Sequence, residues 1–378
     1  MFDYAVVGLG LIGSAAAKYL SQTNQKVVAI GPGEPGEPWA NHDGVFASHY
    51  DQGRITRQLD GSPLWADMAI KSIAKYDTIE KQSGVKFYHQ AGCMHVGQAG
   101  NEADNHIAQV EKVAHRLNAS FNRYSAADFR EIMPQLHFDD VYTVLYEPTI
   151  AGYINPRQLV EAQLIIAAQH QAKILRETAV SITTQSNHIQ IKTEKGTEVQ
   201  AKKVLVAAGG WTHFLLGTDL GLIPKPRTIL LAELSEQEAT RLKNTPSIIY
   251  SGEMIHPTID GFYSLPPIRY PDGNIYLKIG TGLKELPVVH TADELNAWFH
   301  GEGSQVEADG LKEELYKFVK ELKAESHHVK PCVTTYTASR EPLWAELEAN
   351  LFVVAGGCGA AAKSSNEIGR RAAEMVLQ

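Results

Sequence analysis

A short apolar run, Tyr4-Ala5-Val6-Val7, leads straight into Gly8-x-Gly10-x-x-Gly13, and a helix-compatible, alanine-rich stretch from Ser14 to Leu20 follows. A strand, a glycine turn and a helix in that order are the context of a dinucleotide fingerprint. The first glycine permits the tight turn, the second lets the backbone approach a pyrophosphate, and the third allows close helix–strand packing. Unpaired N–H groups at the helix N-terminus then favour an anion. A glycine turn with no ligand would use the same residues, but the flanking strand and helix favour a nucleotide. A second buried-type strand, Val27-Val28-Ala29-Ile30, stops at the turn Gly31-Pro32-Gly33-Glu34-Pro35. An acidic residue normally closes that strand and binds the ribose hydroxyls. Here Gly31 stands in its place, so Glu34 is the expected substitute, with Glu37 further downstream.

Two later apolar runs also end in paired glycines. Val204 to Ala208 precedes Gly209-Gly210, and Leu351 to Ala355 precedes Gly356-Gly357. Apolar on both faces, they read as parallel strands of the same central sheet. Ile368, Ala372, Met375 and Val376 recur at helical spacing, so the last helix is expected to cover one face of it. Residues 84–146 and 218–329 are richer in alternating and aromatic segments. They suggest a second, more antiparallel domain inserted between pieces of the first, which then comprises 1–83, 147–217 and 330–378.

A chain of 378 residues has room for two or three domains. Its formal charge of −8 and its lack of any basic run argue against nucleic acid or an anionic membrane surface as partner. Cys93, Cys332 and Cys358 show no metal-like spacing and make no disulfide framework, which fits reduced thiols in a cytoplasm. The opening lacks the features of a secretory signal, and no apolar stretch is long enough to span a membrane.

Four motifs carry a resemblance to the D-amino-acid-oxidase-like flavoproteins, and within them to the monomeric sarcosine oxidase and N-methyltryptophan oxidase group. The first is Ser48-His49-Tyr50-Asp51-Gln52-Gly53-Arg54-Ile55-Thr56-Arg57. The resemblance implies that this segment runs along the flavin, with Arg54 near the ring and Arg57 on the substrate carboxylate. An arginine fork suits that task, although two surface arginines on a loop would look the same. The second joins Tyr263-Ser264-Leu265-Pro266 to Ile275-Tyr276-Leu277-Lys278-Ile279-Gly280, and implies an active-site tyrosine, Tyr263, and an oxygen-activating lysine, Lys278. A lysine inside an apolar strand needs a partner unless it sits on a solvent-facing edge. The third, Pro331-Cys332-Val333-Thr334-Thr335-Tyr336-Thr337, implies a thioether between Cys332 and the flavin, with a buried apolar cysteine as the alternative. The fourth, Gly356-Gly357-Cys358-Gly359-Ala360-Ala361-Ala362-Lys363-Ser364-Ser365, is less aromatic than the family's version. It implies that Gly357 and Gly359 wrap the flavin and that Lys363 completes the carboxylate clamp, unless Lys363 is a solvated residue of the first helical turn. Val180 matches the strand beside the adenine, and Gly209-Gly210-Trp211 the strand end near the pyrophosphate.

The resemblance thus implies an α/β fold with a Rossmann-type FAD-binding domain and a mostly antiparallel α+β substrate domain. It implies oxidation of the C–N bond of a small, secondary or N-substituted amino acid, with hydride passing to the flavin and oxygen reduced to peroxide. Arg54, Lys278 and Tyr263 are the expected catalytic residues; Arg57, Lys363, Tyr263 and Thr334 are expected on the substrate. Two departures bear on the substrate. Gly282 replaces a histidine and Thr334 an aromatic, which opens the pocket and favours a bulkier or cyclic amino acid over sarcosine. The alternatives are a flavin dehydrogenase serving a quinone or carrier protein, an NAD-dependent amine or opine dehydrogenase, and a flavoprotein subunit that only binds a partner. A monomer or small homo-oligomer is expected.

Overall fold

The strand Phe2–Val7 sits inside an eight-stranded sheet, with Val27–Ile30 parallel to it on one side and Glu198–Val206 on the other. Beyond these, Lys173–Leu175 extends the parallel set, and Leu351–Ala355 runs parallel to Glu198–Val206 with Leu351 opposite Val204. The two apolar runs that end in paired glycines therefore share one sheet. The computed structural model describes residues 1–35, 42, 44–98, 100, 105–251, 256–281 and 288–378, so Glu37 and Gly282 lie outside the described residues.

Alternation along each strand explains why these runs are apolar on both faces. Val6, Ala29, Leu205, Phe352 and Val354 point into one cluster with Ala16, Leu20, Leu164 and Ile368. These partners belong to the helices Leu11–Ser21, Pro156–Gln169 and Ala361–Leu377. Ala5, Val7, Val28, Ile30, Val204 and Val206 point the other way, into a cluster with Ile189 and Ile191 of an antiparallel ribbon. In the last helix Ile368, Ala372 and Val376 are buried as the spacing predicts.

A second sheet of nine strands takes its strands from Cys93 to Glu147 and from Ile223 to Tyr336, and its final strand, Ala324–Tyr336, runs past residue 330. All its pairings are antiparallel except that of Ser247–Ser251 with Cys93–Gln98. One face packs on the helix Gln305–Phe318 through Leu230, Leu277, Ile279 and Phe262. The opposite face carries Ile229, Leu231, Tyr276 and Tyr263, and against it lies Ile55 of the short strand Arg54–Thr56. That contact sets the arginine-bearing segment between the two sheets. The architecture is α/β, a Rossmann-type sheet beside a mostly antiparallel one. Among the described residues, no helix is long and apolar enough to cross a membrane, and no group of three or more His, Cys, Asp or Glu could hold a metal ion.

The first and last helices meet at a small-residue contact. A Cβ added at Gly369 would lie 2.5 Å from Ala15 Cβ and 2.7 Å from Ile12 O. Overpacking such a contact costs about 1–3 kcal/mol. Gly369→Leu is therefore expected to lower the thermal unfolding midpoint clearly, whereas Met375→Leu on the same helix, half-buried and volume-conserving, changes it little.

Candidate active site

A cavity of about 820 Å³ opens at the C-terminal ends of the parallel strands, the usual ligand position in an open α/β sheet. Its size falls within the range of cofactor and small-molecule sites. The glycines at its mouth are there for lack of space. Gly8 has φ +102°, and a Cβ on it would approach Ala207 O to 2.4 Å. A Cβ on Gly13 would lie 1.8 Å from Gly8 O, so helix and turn touch with no room for a side chain. The helix Leu11–Ser21 starts at Gly10 with no side-chain cap and no acidic residue in its first turn, which leaves its N–H groups to an anion. Gly31 is explained in the same way. A Cβ there would come within 2.8 Å of Leu9 N, so an acidic residue cannot occupy this position without moving the turn. Glu34 does line the cavity, yet it is already paired with Arg157 at 2.5 Å, and Arg157 also lines it.

Most of the expected cofactor residues stand on this wall. Gly8, Gly10, Glu34, Ser48, His49, Val180, Gly209, Trp211, Cys332, Gly357 and Gly359 all line it. Val180, an aliphatic side chain left 55% exposed, offers a flat apolar surface there. The buried His49 stays neutral, its pKa pushed down to about 3 by burial and then by Arg54 and Arg157. Trp211 is fixed by donating Nε1–H to Phe46 O at 3.0 Å. Near Cys332 the wall turns polar. Arg54 donates to Ser48 O at 2.7 Å and lies 3.6 Å from Cys332 Sγ. Trp298 Nε1 donates to Cys332 O at 2.8 Å and pins the strand that carries the thiol. Thr334 Oγ1 is buried on the same wall with no partner among the described residues. An orphaned hydroxyl, a glycine cradle and an uncapped helix end together fit a dinucleotide cofactor with a polar ring system.

Gly13 and four of the expected active-site residues lie off the wall. Lys278, Tyr263, Arg57 and Lys363 do not line the cavity. Lys278 is 1% exposed, which rules out a solvent-facing edge residue. Its Nζ donates to Asp51 at 2.5 Å and to Gly53 O at 2.9 Å, and it sits 5.4 Å from the ring centre of Tyr263. Burial and Arg54 push its pKa down to about 8, against the pull of Asp51. Asp51 also pairs with Arg54 and accepts from Tyr270 at 2.8 Å. Burial would raise the Asp51 pKa, but Lys278 and Arg54 hold it well below the usual carboxylate range.

Arg57 and Lys363 converge as expected, but on a residue of the chain itself. Lys363 lies 3.1 Å and Arg57 3.4 Å from Asp60, and Lys363 also donates to Trp65 O at 3.2 Å. Lys363, expected to touch both cofactor and substrate, is instead 1% exposed and neither on the wall nor solvated. Only its neighbours Ala361 and Ala362 line the cavity. The partners Asp51 and Asp60 were missed, although a signal was present. Asp51-x-x-Arg54 and Arg57-x-x-Asp60 both carry opposite charges three positions apart.

Beside this second cluster lies Glu147, whose carboxylate accepts from the backbone N–H of Gln58 at 2.9 Å and of Leu59 at 3.1 Å. Burial, outweighing those bonds and the pull of Arg57 and Lys363, pushes its pKa up from 4.5 to about 7. Between those two values the folded chain keeps a proton that the unfolded chain has released. Its contribution to stability is thus full below pH 4.5 and falls as pH rises to about 7. Thermal unfolding across that range is expected to show the fall in the native chain and a flatter profile in Glu147→Gln.

The family profile described as FAD dependent oxidoreductase, DAO, matches residues 3–375. An N-methyl-L-tryptophan oxidase of Yersinia pestis (strain Pestoides F) is 26% identical over 219 residues, 57% of this chain and 56% of that protein. The chain therefore matches little more than half the length of that relative. Among solved structures, NikD, described as an unusual amino acid oxidase essential for nikkomycin biosynthesis, superposes with a TM-score of 0.79 at 16% identity, covering 100% of this chain and 94% of that one. Glycine oxidase from Geobacillus kaustophilus superposes at 0.74 and 18% identity, covering 100% and 94%. These similarities at low identity concern the fold. The profile match, which runs from the first strand to the last helix, means that the chain belongs to the DAO family of FAD-dependent oxidoreductases.

Proposed function

We propose that the chain holds FAD along the cavity, with the flavin ring at the Arg54–Cys332–Thr334 end, and oxidises the C–N bond of a small secondary or N-substituted amine or amino acid. The observation that carries this reading is the convergence at that end of a half-buried thiol, an orphaned hydroxyl and a cation, with the buried Lys278 held behind Arg54 through Asp51 and Tyr263 beside Lys278. The Gly8–Gly13 turn and the helix behind it receive the pyrophosphate. Glu34, shared with Arg157, serves the ribose, and Val180 flanks the adenine. Segments 1–83, 147–217 and 330–378 act as the cofactor domain, and 84–146 with 218–329 as the substrate domain. N-methyl-L-tryptophan and glycine, in the names of the proteins compared above, agree with a nitrogen-bearing substrate. Thr334, in place of an aromatic, leaves space for a bulkier or cyclic one.

Bound FAD would supply the two-electron chemistry, accepting hydride from the carbon beside nitrogen and returning the electrons to oxygen, for an imine and hydrogen peroxide as products. Arg54 would hold positive charge at the ring edge, and Lys278, kept cationic by Asp51 behind the cavity wall, would add positive potential for negative charge developing on oxygen. A second reading, a dehydrogenase that serves a quinone or carrier protein, draws on one observation. Asp51 cancels part of the charge that Lys278 and Arg54 present. Three unpaired cysteines support a reducing, cytoplasmic setting, with the enzyme a monomer or small homo-oligomer.

The purified protein is expected to be yellow and to bleach anaerobically with an amine or amino acid from a broad panel; a colourless protein, or a yellow one that no amine bleaches, ends this reading. With a thioether at Cys332, acid precipitation leaves the colour in the pellet, and Cys332→Ala releases it to the supernatant. Lys278→Met tests the acceptor by stopped-flow. A charge 4 Å away at an effective dielectric near 20 contributes about 4 kcal/mol, and Asp51 offsets part of it, so oxygen-dependent reoxidation should slow by about ten- to a hundredfold. Unchanged reoxidation would favour the dehydrogenase.

A further inference from the structure

We infer that His49 is the wall residue that answers the charge of the cofactor's pyrophosphate, and that it does so by taking up a proton, so that this chain binds FAD as a proton-coupled ligand. The inference rests on the cofactor placement proposed above and concerns what the chain itself does to receive that group.

The charges on the wall are already matched. Glu34, Arg54, Arg157, Glu161 and Arg176 are the charged residues on its described part. Each arginine has a carboxylate of the chain beside it. Arg54 pairs with Asp51, Arg157 lies 2.5 Å from Glu34, and Arg176 lies 3.5 Å from Glu161. The paired set thus carries no net charge. The helix Leu11–Ser21 adds the N–H groups of its uncapped end, worth about half an elementary charge. A pyrophosphate diester is a dianion at neutral pH. Receiving it calls for more positive charge than these groups supply.

His49 is the one histidine on the described wall, and histidine is the side chain whose charge changes between about pH 5 and 8. It is 6% exposed, and neither ring nitrogen hydrogen-bonds to a described residue. Its Nδ1 lies 3.7 Å from where a Cβ on Gly10 would stand, at the residue that opens the helix. The ring is held there edge-on to Tyr50, with 4.6 Å between centroids, and Tyr50 is fixed by donating its hydroxyl to Gly33 O at 3.1 Å. The imidazole is therefore aimed at the glycine past which the fingerprint admits a pyrophosphate.

The groups that face His49 account for its neutrality in the cofactor-free chain. Burial, then Arg54 on its own segment, Arg157 on the helix Pro156–Gln169 and Arg176 just after the strand Lys173–Leu175, push its pKa down to about 3. Tyr50, the other titratable neighbour, is kept a neutral phenol, its pKa pushed up to about 12 by burial and then by Glu34. A dianion at Gly10 reverses this balance, because a close opposite charge favours the charged form. The imidazolium then donates from both nitrogens, where the neutral ring donates from one. Since the proton is held only in the complex, FAD affinity is greatest at low pH. It falls as pH rises through the pKa that His49 acquires on binding.

The test titrates FAD into the flavin-free full-length chain carrying Cys332→Ala, so that no thioether intervenes, in calorimetry buffers of different ionisation heat. At about pH 6 this parent chain is expected to take up about one proton per FAD, and its affinity to fall by up to about tenfold per pH unit above that. His49→Gln, which keeps a donor but cannot charge, should bind FAD without that proton and with a flatter pH profile. ADP-ribose, which has the pyrophosphate and no flavin, should show the same uptake in the parent chain. A neutral imidazole that only packs on Tyr50 takes up nothing. Zero uptake in the parent chain, or equal uptake in His49→Gln, therefore overturns the inference. Should His49→Gln not fold, the parent chain still decides: no proton with ADP-ribose overturns the inference, and uptake that FAD and ADP-ribose share supports it. If FAD does not bind at all, the cofactor placement fails and the inference with it; if FAD binds without a proton, the inference fails alone.

Discussion

The ion pair between Lys278 and Asp51 ties the antiparallel sheet to the segment that leaves the cofactor cavity, across 227 positions of sequence. Both groups are withdrawn from water, so neither would stay charged in that place without the other. Around them most of the remaining hydrogen-bonding capacity is used. Asp51 also accepts from the Gln52 N–H at 2.7 Å and from Tyr270, and Lys278 also reaches Gly53 O. Removing one member of such a pair typically costs about 3–5 kcal/mol, because the other is left buried and unmatched. The segment from Asp51 to Arg57 is thereby fixed in register against the sheet face bearing Tyr263 and Tyr270. That placement sets Arg54 on the cavity wall and Arg57 on the side away from it.

Much of this was legible in the sequence, and what was legible shares one property. Strand, glycine turn and helix at residues 2–21, and the two strands ending in paired glycines, are local patterns whose physics acts within a few residues. The meaning of Gly31 was not local. Its missing acid looked like an anomaly of ribose binding, whereas its cause is the backbone of Leu9, which leaves no space for a Cβ. The same holds for the charged residues. Arg54, Arg57, Lys278 and Lys363 stood out because the resemblance carried them, but it said nothing of their partners. Asp51 and Asp60 are ordinary loop acids until the fold brings Lys278 and Lys363 to them.

Tyr263 shows how a neighbour's smallness makes a site. Its phenol lies across Gly280, where a Cβ would approach the hydroxyl to 2.6 Å. The glycine two residues after Lys278 thus makes room for the tyrosine, and the tyrosine ring in turn lies within cation–π range of the lysine. Residues that looked like separate motif matches, Tyr263 on one strand and Lys278-Ile279-Gly280 on the next, form one packed unit.

Both cation pairs carried over by the resemblance prove to be triads, Lys278–Asp51–Arg54 and Lys363–Asp60–Arg57, each with two cations and one carboxylate. Each therefore holds a single net positive charge in a dry setting instead of two. Two bare cations there would repel each other and pay full desolvation, so an internal carboxylate stabilises the empty fold. The same carboxylate weakens what each pair can offer to an anion arriving from outside, whether a charge developing on oxygen or a carboxylate on the substrate. Stability of the ligand-free protein and strength of anion recognition are thus opposed at both places. The first triad reaches the cavity wall through Arg54, with its aspartate fully satisfied. The second lies off the cavity wall, with Arg57 and Asp60 at 14% and 15% exposure.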